Sequence, residues 1–217
     1  MGQKIAIVDY ALGNLFNVRR AFSFFSADTI ITNIRNEVDG ADKLVLPGVG
    51  AFGEGMRNLK DSRLVEVIRD AANSGKPILG ICLGMQLLLS ESEEFGRHPG
   101  LDLVPGRVVK FDLPKNFHFK IPQIGWNRLL PSLRQKQEKD GYWKNTLLRH
   151  LSEGAPMYFV HSFYSQVEDQ SDSVAVTEYG HNKFCSALQR ENVYGCQFHP
   201  ERSGDDGLLI LKHFINL

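Results

Sequence analysis

No stretch of the chain approaches the roughly 20 consecutive apolar residues that a membrane-spanning helix needs. The opening Met1-Gly2-Gln3-Lys4-Ile5-Ala6 lacks the apolar run and small-residue cleavage site of a secretory signal. Gly2 invites a myristoylation reading, but position 6 is Ala where that signal has Ser or Thr. Cysteine is scarce. Cys82, Cys185 and Cys196 are odd in number and have no CxxC spacing, which argues against a disulfide framework and against a zinc site built on cysteine pairs. Neither sign of charge is in excess, with 25 Lys+Arg against 25 Asp+Glu. The balance therefore argues against nucleic acid or a membrane surface as partner. Internal repeats and low-complexity tracts are absent too. A reducing, cytoplasmic compartment is the expected one, and there Cys82 stays a free thiol. No site for a metal or an organic cofactor is evident, so none is expected.

What the chain does contain suits one α/β domain spanning 1–217: 217 residues, 42% of them hydrophobic and 23% charged. In the first half short apolar runs alternate with amphipathic ones. Lys4–Asp9 reads as a buried strand, Asn14 as the cap of a helix through about Phe25, and Lys43–Leu46 as a strand stopped by Pro47-Gly48. Leu64 to Ala72 has helical spacing, closed by Gly75. Pro77–Ile81 is a third strand, leading through Cys82 into a helix over Leu83–Leu89. This alternation predicts a mostly parallel open sheet with helices on both faces. The second half brings apolar runs at Arg107–Phe111, Met157–Val160, Val174–Thr177, Cys185–Leu188 and Tyr194–Phe198. These predict an antiparallel extension of the sheet. A last helix runs from about Gly207 to Asn216, with Leu208, Leu211 and Ile215 on one stripe. Ser132–His150, rich in charge, reads as an exposed insertion.

The sharpest local signal is Gly80-Ile81-Cys82-Leu83-Gly84 at a strand-to-helix junction. A nucleophile at such a turn is strained and accessible, and flanking glycines give the turn room. The helix N-terminus favours a thiolate, and the Leu83 N–H points to where an oxyanion would develop. The plain alternative is that Cys82 is a small buried apolar residue, as free cysteines often are. That reading stands for Cys185 and Cys196.

A cysteine hydrolase needs a base. His199, within Gln197-Phe198-His199-Pro200-Glu201, has an acid two residues on, and residues i and i+2 of an extended chain point to the same side. Glu201 could then hold His199 Nδ1 and turn Nε2 toward Cys82. His161 is the rival base. It lacks an acid at i+2, so a core or pocket-lining role suits it better. Spacing alone does not bring Cys82 and His199 together. Gly48-Val49-Gly50-Ala51-Phe52-Gly53 matches the dinucleotide fingerprint G-x-G-x-x-G, but the next strand ends in Gly80-Ile81-Cys82 instead of a ribose-binding acid. A better use of that loop is close backbone approach, with Val49 or Gly50 giving a second oxyanion donor.

Pro47–Gly53, Gly80–Gln86 and Gln197–Glu201, in this order, resemble the class I, triad-type glutamine amidotransferases nearly end to end. Ile7–Asn14 and Pro122–Asn127 narrow the likeness to the branch that serves as glutaminase subunits of imidazole glycerol phosphate synthase. The resemblance implies Cys82 as nucleophile, His199 as base and Glu201 as its orienting partner, with an oxyanion hole around Val49, Gly50 and Leu83. It implies that Gln86, Glu94, Ser162 and Phe163 handle L-glutamine. It puts Trp126 and Asn127, with Gln123 and Arg202, toward a partner subunit and the ammonia route. In that branch the partner is a (β/α)8-barrel cyclase of histidine biosynthesis, joined as a heterodimer. Gln123 stands where the family usually has His, Arg202 where Lys is common and Ser162 where Thr is frequent; the 132–150 loop is usually shorter. The departures leave the triad intact and bear on the partner. A paralogue feeding ammonia to a cell-surface sugar amidotransferase is one competing reading. An α/β-hydrolase-like enzyme is disfavoured because its acid normally precedes the His in the chain. A catalytically silent binding subunit is disfavoured because all three triad residue types are present.

Overall fold

The computed structural model describes residues 3–113, 119–133 and 142–217. The strands are β1 (Lys4–Val8), β2 (Asp28–Thr32), β3 (Lys43–Gly48), β4 (Ile78–Cys82), β5 (Leu89–Ser92), β6 (His98–Pro99), β7 (Val104–Lys110), β8 (Gln123–Arg128), β9 (Leu130–Pro131), β10 (Pro156–His161), β11 (Phe163–Val167), β12 (Ser173–Tyr179), β13 (Asn182–Arg190) and β14 (Val193–Cys196). The helices are α1 (Leu15–Ser23), α2 (Arg35–Asp39), α3 (Phe52–Asp61), α4 (Val65–Asn73), α5 (Leu83–Leu87) and α6 (Gly204–Ile215). The main sheet runs β2-β1-β3-β4-β14-β13-β11-β7-β5-β6, with β12 on β13 and β9 on β12. Its first five strands are mutually parallel. Antiparallel pairing then joins β14 to β13, β13 to β11 and β11 to β7. The expected α/β architecture is present: a parallel sheet with an antiparallel extension.

The parallel strands are buried almost throughout, as strands covered on both faces must be: β1, β3 and β4 expose only the partly covered Lys4. Two apolar clusters result. One, around Phe22, Ile81, Phe198 and Phe214, packs α1 and α6. The other, around Phe52, Leu59, Ile68 and Met85, packs α3, α4 and α5. Asn14 caps α1 as expected, its side chain accepting from the Asn17 N–H at 3.1 Å. Gly75, at φ +84°, follows α4 in the left-handed conformation that suits glycine.

Several expectations are corrected. β3 does not stop at Pro47 but continues through Gly48, because Pro47 and Gly48 lie in register with Ile81 and Cys82. α5 ends at Leu87, and the chain turns at once into β5, which pairs parallel with β7. The run at 157–160 leaves the extension altogether: β10 pairs with β8 in a separate two-stranded ribbon. β12, β13 and β14 do pair antiparallel in succession, and β14 is the strand that joins this extension to the parallel half by pairing with β4. On α6 the buried stripe is Gly207, Ile210, Leu211 and Phe214, with Leu208 and Ile215 only partly covered.

Where it is described, the 132–150 segment is exposed only in part and is anchored in the core (134–141 lie outside the described residues). Trp143 is fully buried and donates its indole N–H to the Val174 carbonyl at 3.0 Å, and Leu147 and Leu148 join the same core. Its charges mask an apolar anchor, W-x-x-x-L-L. Trp143→Ala should therefore cost about 3–5 kcal/mol. Urea unfolding will read this as a lower midpoint at unchanged slope. A loss below about 1 kcal/mol would return the segment to the surface.

Candidate active site

Three adjacent parallel strands build the site, and register explains why. Gly48 at the end of β3 lies opposite Cys82 at the end of β4, and Cys196 at the end of β14 lies opposite Ile81. The residues that follow, Val49-Gly50 on one side and Gln197-Phe198-His199 on the other, therefore emerge beside Cys82. This is the carboxyl edge of the sheet, where open α/β folds place their ligands.

Cys82 has φ +53° and ψ −108°, a conformation disfavoured for a residue with a Cβ. Close packing holds it there. A Cβ on Gly80 would lie 2.6 Å from the Met85 nitrogen, and one on Gly84 would lie 1.6 Å from the Leu46 carbonyl oxygen. The flanking glycines thus do more than loosen the turn, because they let α5 press against β3 and β4. Cys82 is 5% exposed, its Sγ 3.8 Å from the Val160 carbonyl oxygen and 3.7 Å from Gln197 Nε2.

His199 is fixed from three sides. Its N–H donates to the Tyr158 carbonyl at 2.9 Å, its carbonyl accepts from Ser203 Oγ at 2.6 Å, and its Nδ1 meets Glu201 Oε1 at 2.8 Å. The His–Glu pair forms as expected, but by different local geometry. Pro200 opens a 3-10 turn, Pro200–Arg202, and Glu201 reaches the ring from that turn rather than along an extended chain. Both side chains are nearly covered, at 5% and 3% exposed. Burial opposes the imidazolium, but negative charge on Cys82, a hydrogen bond to it, and then Glu201 outweigh burial and push His199 up to about 10. With Nδ1 held by Glu201, Nε2 is the ring nitrogen left for the sulfur. The pairing of β14 with β4 is what makes the two groups neighbours. Because the folded value lies above the ordinary imidazole value near 6.5, the associated stabilisation is complete below about pH 6.5. It is lost as pH climbs through about 10.

Removing the sulfur leaves burial opposed by Glu201 alone, so in Cys82→Ala the His199 ring should titrate well below its wild-type midpoint. An NMR titration of the imidazole Cε1–H will read the shift, and an unmoved midpoint would uncouple the two residues.

His161 belongs to the surroundings. Burial lowers it to about 4, its Nδ1 lies 2.8 Å from the Phe163 carbonyl oxygen, and its ring packs 5.1 Å from Phe111. A ring that neutral near pH 7 donates from Nδ1 to that carbonyl.

The other expected site residues separate into groups. Gln86, 5% exposed, donates from Nε2 to the Phe163 carbonyl at 2.9 Å and to Gln197 Oε1 at 3.0 Å. Ser162 and Phe163 lie at the turn from β10 to β11, both half-buried. Glu94 accepts from the Phe52 N–H at 2.6 Å, and burial raises its carboxyl against that bond and the pull of His98. It edges a cavity of about 560 Å³ lined also by Ala51, Gly53, Phe95 and His98. Val49 and Gly50 are exposed, with Gly50 at φ +124°, while Leu83 is buried at the start of α5. A second cavity, of about 460 Å³ beside Ser165, Phe184 and Cys185, contains none of these residues.

Of the residues expected to face a partner, Trp126 and Arg202 share one surface. Trp126 is 59% exposed and meets the Tyr158 ring edge-on at 6.1 Å, and the Arg202 guanidinium lies 4.4 Å over the same ring. Ile124 adds another exposed apolar side chain at 63%. Gln123 is 2% exposed and Asn127 donates to the Glu178 carbonyl at 2.9 Å, so neither side chain belongs to that patch. The strand alternation of β8 separates them: positions 124 and 126 point out, 123 and 127 do not. Tyr158 and Gln197 were not singled out from sequence. The same period-2 rule was the available signal, since Gln197 precedes His199 by two.

A strand-ending cysteine in a strained turn, a buried His–Glu pair beside it and this sheet order define a class. The family model described as "Glutamine amidotransferase class-I" matches residues 6–216. The chain belongs to that family of enzymes. It is 44% identical over 216 residues to "Imidazole glycerol phosphate synthase subunit HisH 1" of Legionella pneumophila (strain Paris), covering 98% of this chain and 99% of that one. It is 45% identical over 211 residues to "Imidazole glycerol phosphate synthase subunit HisH" of Sulfurimonas denitrificans, covering 97% and 96%. Among solved structures, PurLQS from Thermotoga maritima superposes with a TM-score of 0.72 at 19% identity, covering 100% of this chain and 99% of that one, a likeness of fold.

Proposed function

We propose that this chain is the glutaminase subunit of an imidazole glycerol phosphate synthase, with Cys82 as nucleophile, His199 as acid and base, and Glu201 as its orienting partner. The observation that carries the reading is the convergence of Cys82 and the buried His199–Glu201 pair at the ends of adjacent strands β4 and β14. The full-length identity to subunits bearing that name supports the pathway.

The Cys82 thiolate attacks the carboxamide carbon of L-glutamine. Charge collects on the carboxamide oxygen, which the Leu83 N–H and the Val49–Gly50 peptide receive. The C–N bond breaks as His199 gives its proton to the leaving nitrogen, a role suited to an imidazole that keeps its proton through neutral pH. Water, losing a proton to His199, then cleaves the thioester to glutamate. One oxyanion donor contributes about 3–4 kcal/mol to such a barrier, so the orientation of the Val49–Gly50 peptide sets the basal rate. Gly50 at φ +124° leaves that peptide free of the constraint a side chain imposes. Gln86, Glu94, Ser162 and Phe163 take the remainder of the glutamine.

Ammonia released to water is mostly protonated and no longer nucleophilic, so an acceptor subunit must receive it directly. The exposed Trp126–Tyr158–Arg202 stack with Ile124 suits such a docking face. The partner assigned is a (β/α)8-barrel cyclase, and the place is the cytoplasm; among the described residues no helix is long and apolar enough to cross a membrane.

The test measures glutamate released from L-glutamine by the chain alone and with a barrel cyclase carrying its ligand. Strong stimulation is expected. Turnover indifferent to the cyclase would keep the chemistry and move the acceptor to a sugar amidotransferase. No turnover under either condition would sink the glutaminase reading.

A further inference from the structure

We propose that Gln197 is a positioning residue for Cys82, holding an amide N–H against the sulfur where it supports the attacking thiolate. The inference rests on the reading of Cys82 as nucleophile and goes beyond the triad. Gln197 is fully buried, the residue after β14, and its Nε2 lies 3.7 Å from Cys82 Sγ.

Which end of its amide faces the sulfur is decided two residues away. The Phe163 carbonyl can only accept, so Gln86 must turn its nitrogen toward it, at 2.9 Å. The same nitrogen has a second hydrogen, which at 3.0 Å can only meet an acceptor, and this fixes Gln197 Oε1 on the Gln86 side. Gln197 is thereby left with its NH2 toward Cys82. A backbone carbonyl thus sets the polarity of a buried relay: Phe163 O, Gln86 Nε2, Gln197 Oε1, Gln197 Nε2, Cys82 Sγ. An N–H donor stabilises a thiolate and does nothing comparable for a thiol, and burial strengthens the effect. The opposing contact is the Val160 carbonyl, 3.8 Å from Sγ, which serves the protonated thiol. Among its uncharged neighbours, Cys82 thus has one group that favours each form, with Gln197 on the reactive side beside the charge of His199. The relay also joins the thiolate to Phe163, one of the residues assigned to glutamine.

The experiment follows alkylation of Cys82 by iodoacetamide across pH, read by peptide mass spectrometry, in wild type, Gln197→Leu, Gln197→Glu and Gln86→Met. Cys185 and Cys196 are buried and pushed up by burial, Cys185 to about 12, and serve as internal controls. Gln197→Leu should slow Cys82 alkylation at pH 7 roughly tenfold and move its profile to higher pH. Gln197→Glu keeps the acceptor that Gln86 needs but turns a carboxylate to the sulfur, and should be slower still. A packing role reverses that order, because Glu matches the shape and the Gln86 bond that Leu loses. Gln86→Met, which frees the Gln197 amide to turn over, should fall between wild type and Gln197→Leu. It answers the question even if position 197 tolerates no change. In glutamine hydrolysis the Leu variant should lose kcat with little change in KM. Wild-type alkylation rates in the Gln197 variants, or Glu faster than Leu, would overturn the proposal. Glutamine turnover by Cys82→Ala would instead overturn the nucleophile and leave the alkylation order standing.

Discussion

Cys82→Ala should lower glutamate release by on the order of 10⁴-fold or more, with or without the partner subunit, because members of a triad act as a unit. Position 82 offers a second readout that separates chemistry from fold. Its φ of +53° is strained for any residue with a Cβ, at a cost of roughly 1–3 kcal/mol. Cys82→Ala keeps that strain, whereas Cys82→Gly releases it and gives back about 0.5–1 kcal/mol in unfolded-chain entropy. The glycine variant should be as inactive as the alanine one yet melt at a higher temperature. Residual turnover within tenfold of wild type would remove Cys82 as nucleophile. A glycine variant melting below the alanine variant would show that the turn is not strained as its dihedral angles indicate.

Among the described glycines, Gly84→Ala should be the most damaging change to alanine. The added Cβ would stand 1.6 Å from the Leu46 carbonyl oxygen, and neither atom can rotate away because both belong to packed backbone. α5 would have to lift off β3, which breaks the core around Leu46, Leu83 and Met85. A loss above about 4 kcal/mol is expected, in the range reserved for gross steric or cavity defects. Gly75→Ala supplies the contrast. Nothing lies within 4 Å of its Cβ position, and its φ of +84° makes backbone strain the only penalty, about 1–2 kcal/mol. Urea midpoints of the two variants should therefore differ widely. Equal midpoints would mean that α5 is not seated as tightly as the strand register demands.

The triad pattern was legible because its chemistry is local: a glycine-flanked cysteine at a strand end, and a His with an acid two residues on. The spatial meeting of Cys82 and His199 was not, because it depends on β14 pairing with β4 across more than a hundred residues. Hydrophobic runs carry no information about which strand neighbours which, so the antiparallel pairing of Val193–Cys196 with its predecessor was legible and its parallel pairing with β4 was not. Trp143 was hidden for a related reason. Charged neighbours outweigh one buried indole in any reading by composition, although a single such ring anchors a loop. Gln123 illustrates the limit of resemblance: a position expected at the partner face lies inside, with its Oε1 unpartnered. Period-2 alternation along β8 held that information and yields it once the strand is known.

The place of β14 also ties the integrity of the sheet to that of the site. The strands on one side of it, β2-β1-β3-β4, and those beginning with β13 on the other share no neighbour in the main sheet until residues 193–196 arrive between them. Without those four residues the sheet would be two unjoined halves and the cysteine would lack its imidazole. The strand that closes the gap is followed within three residues by His199. Joining the two halves of the sheet and bringing the imidazole to the cysteine therefore depend on the same short strand.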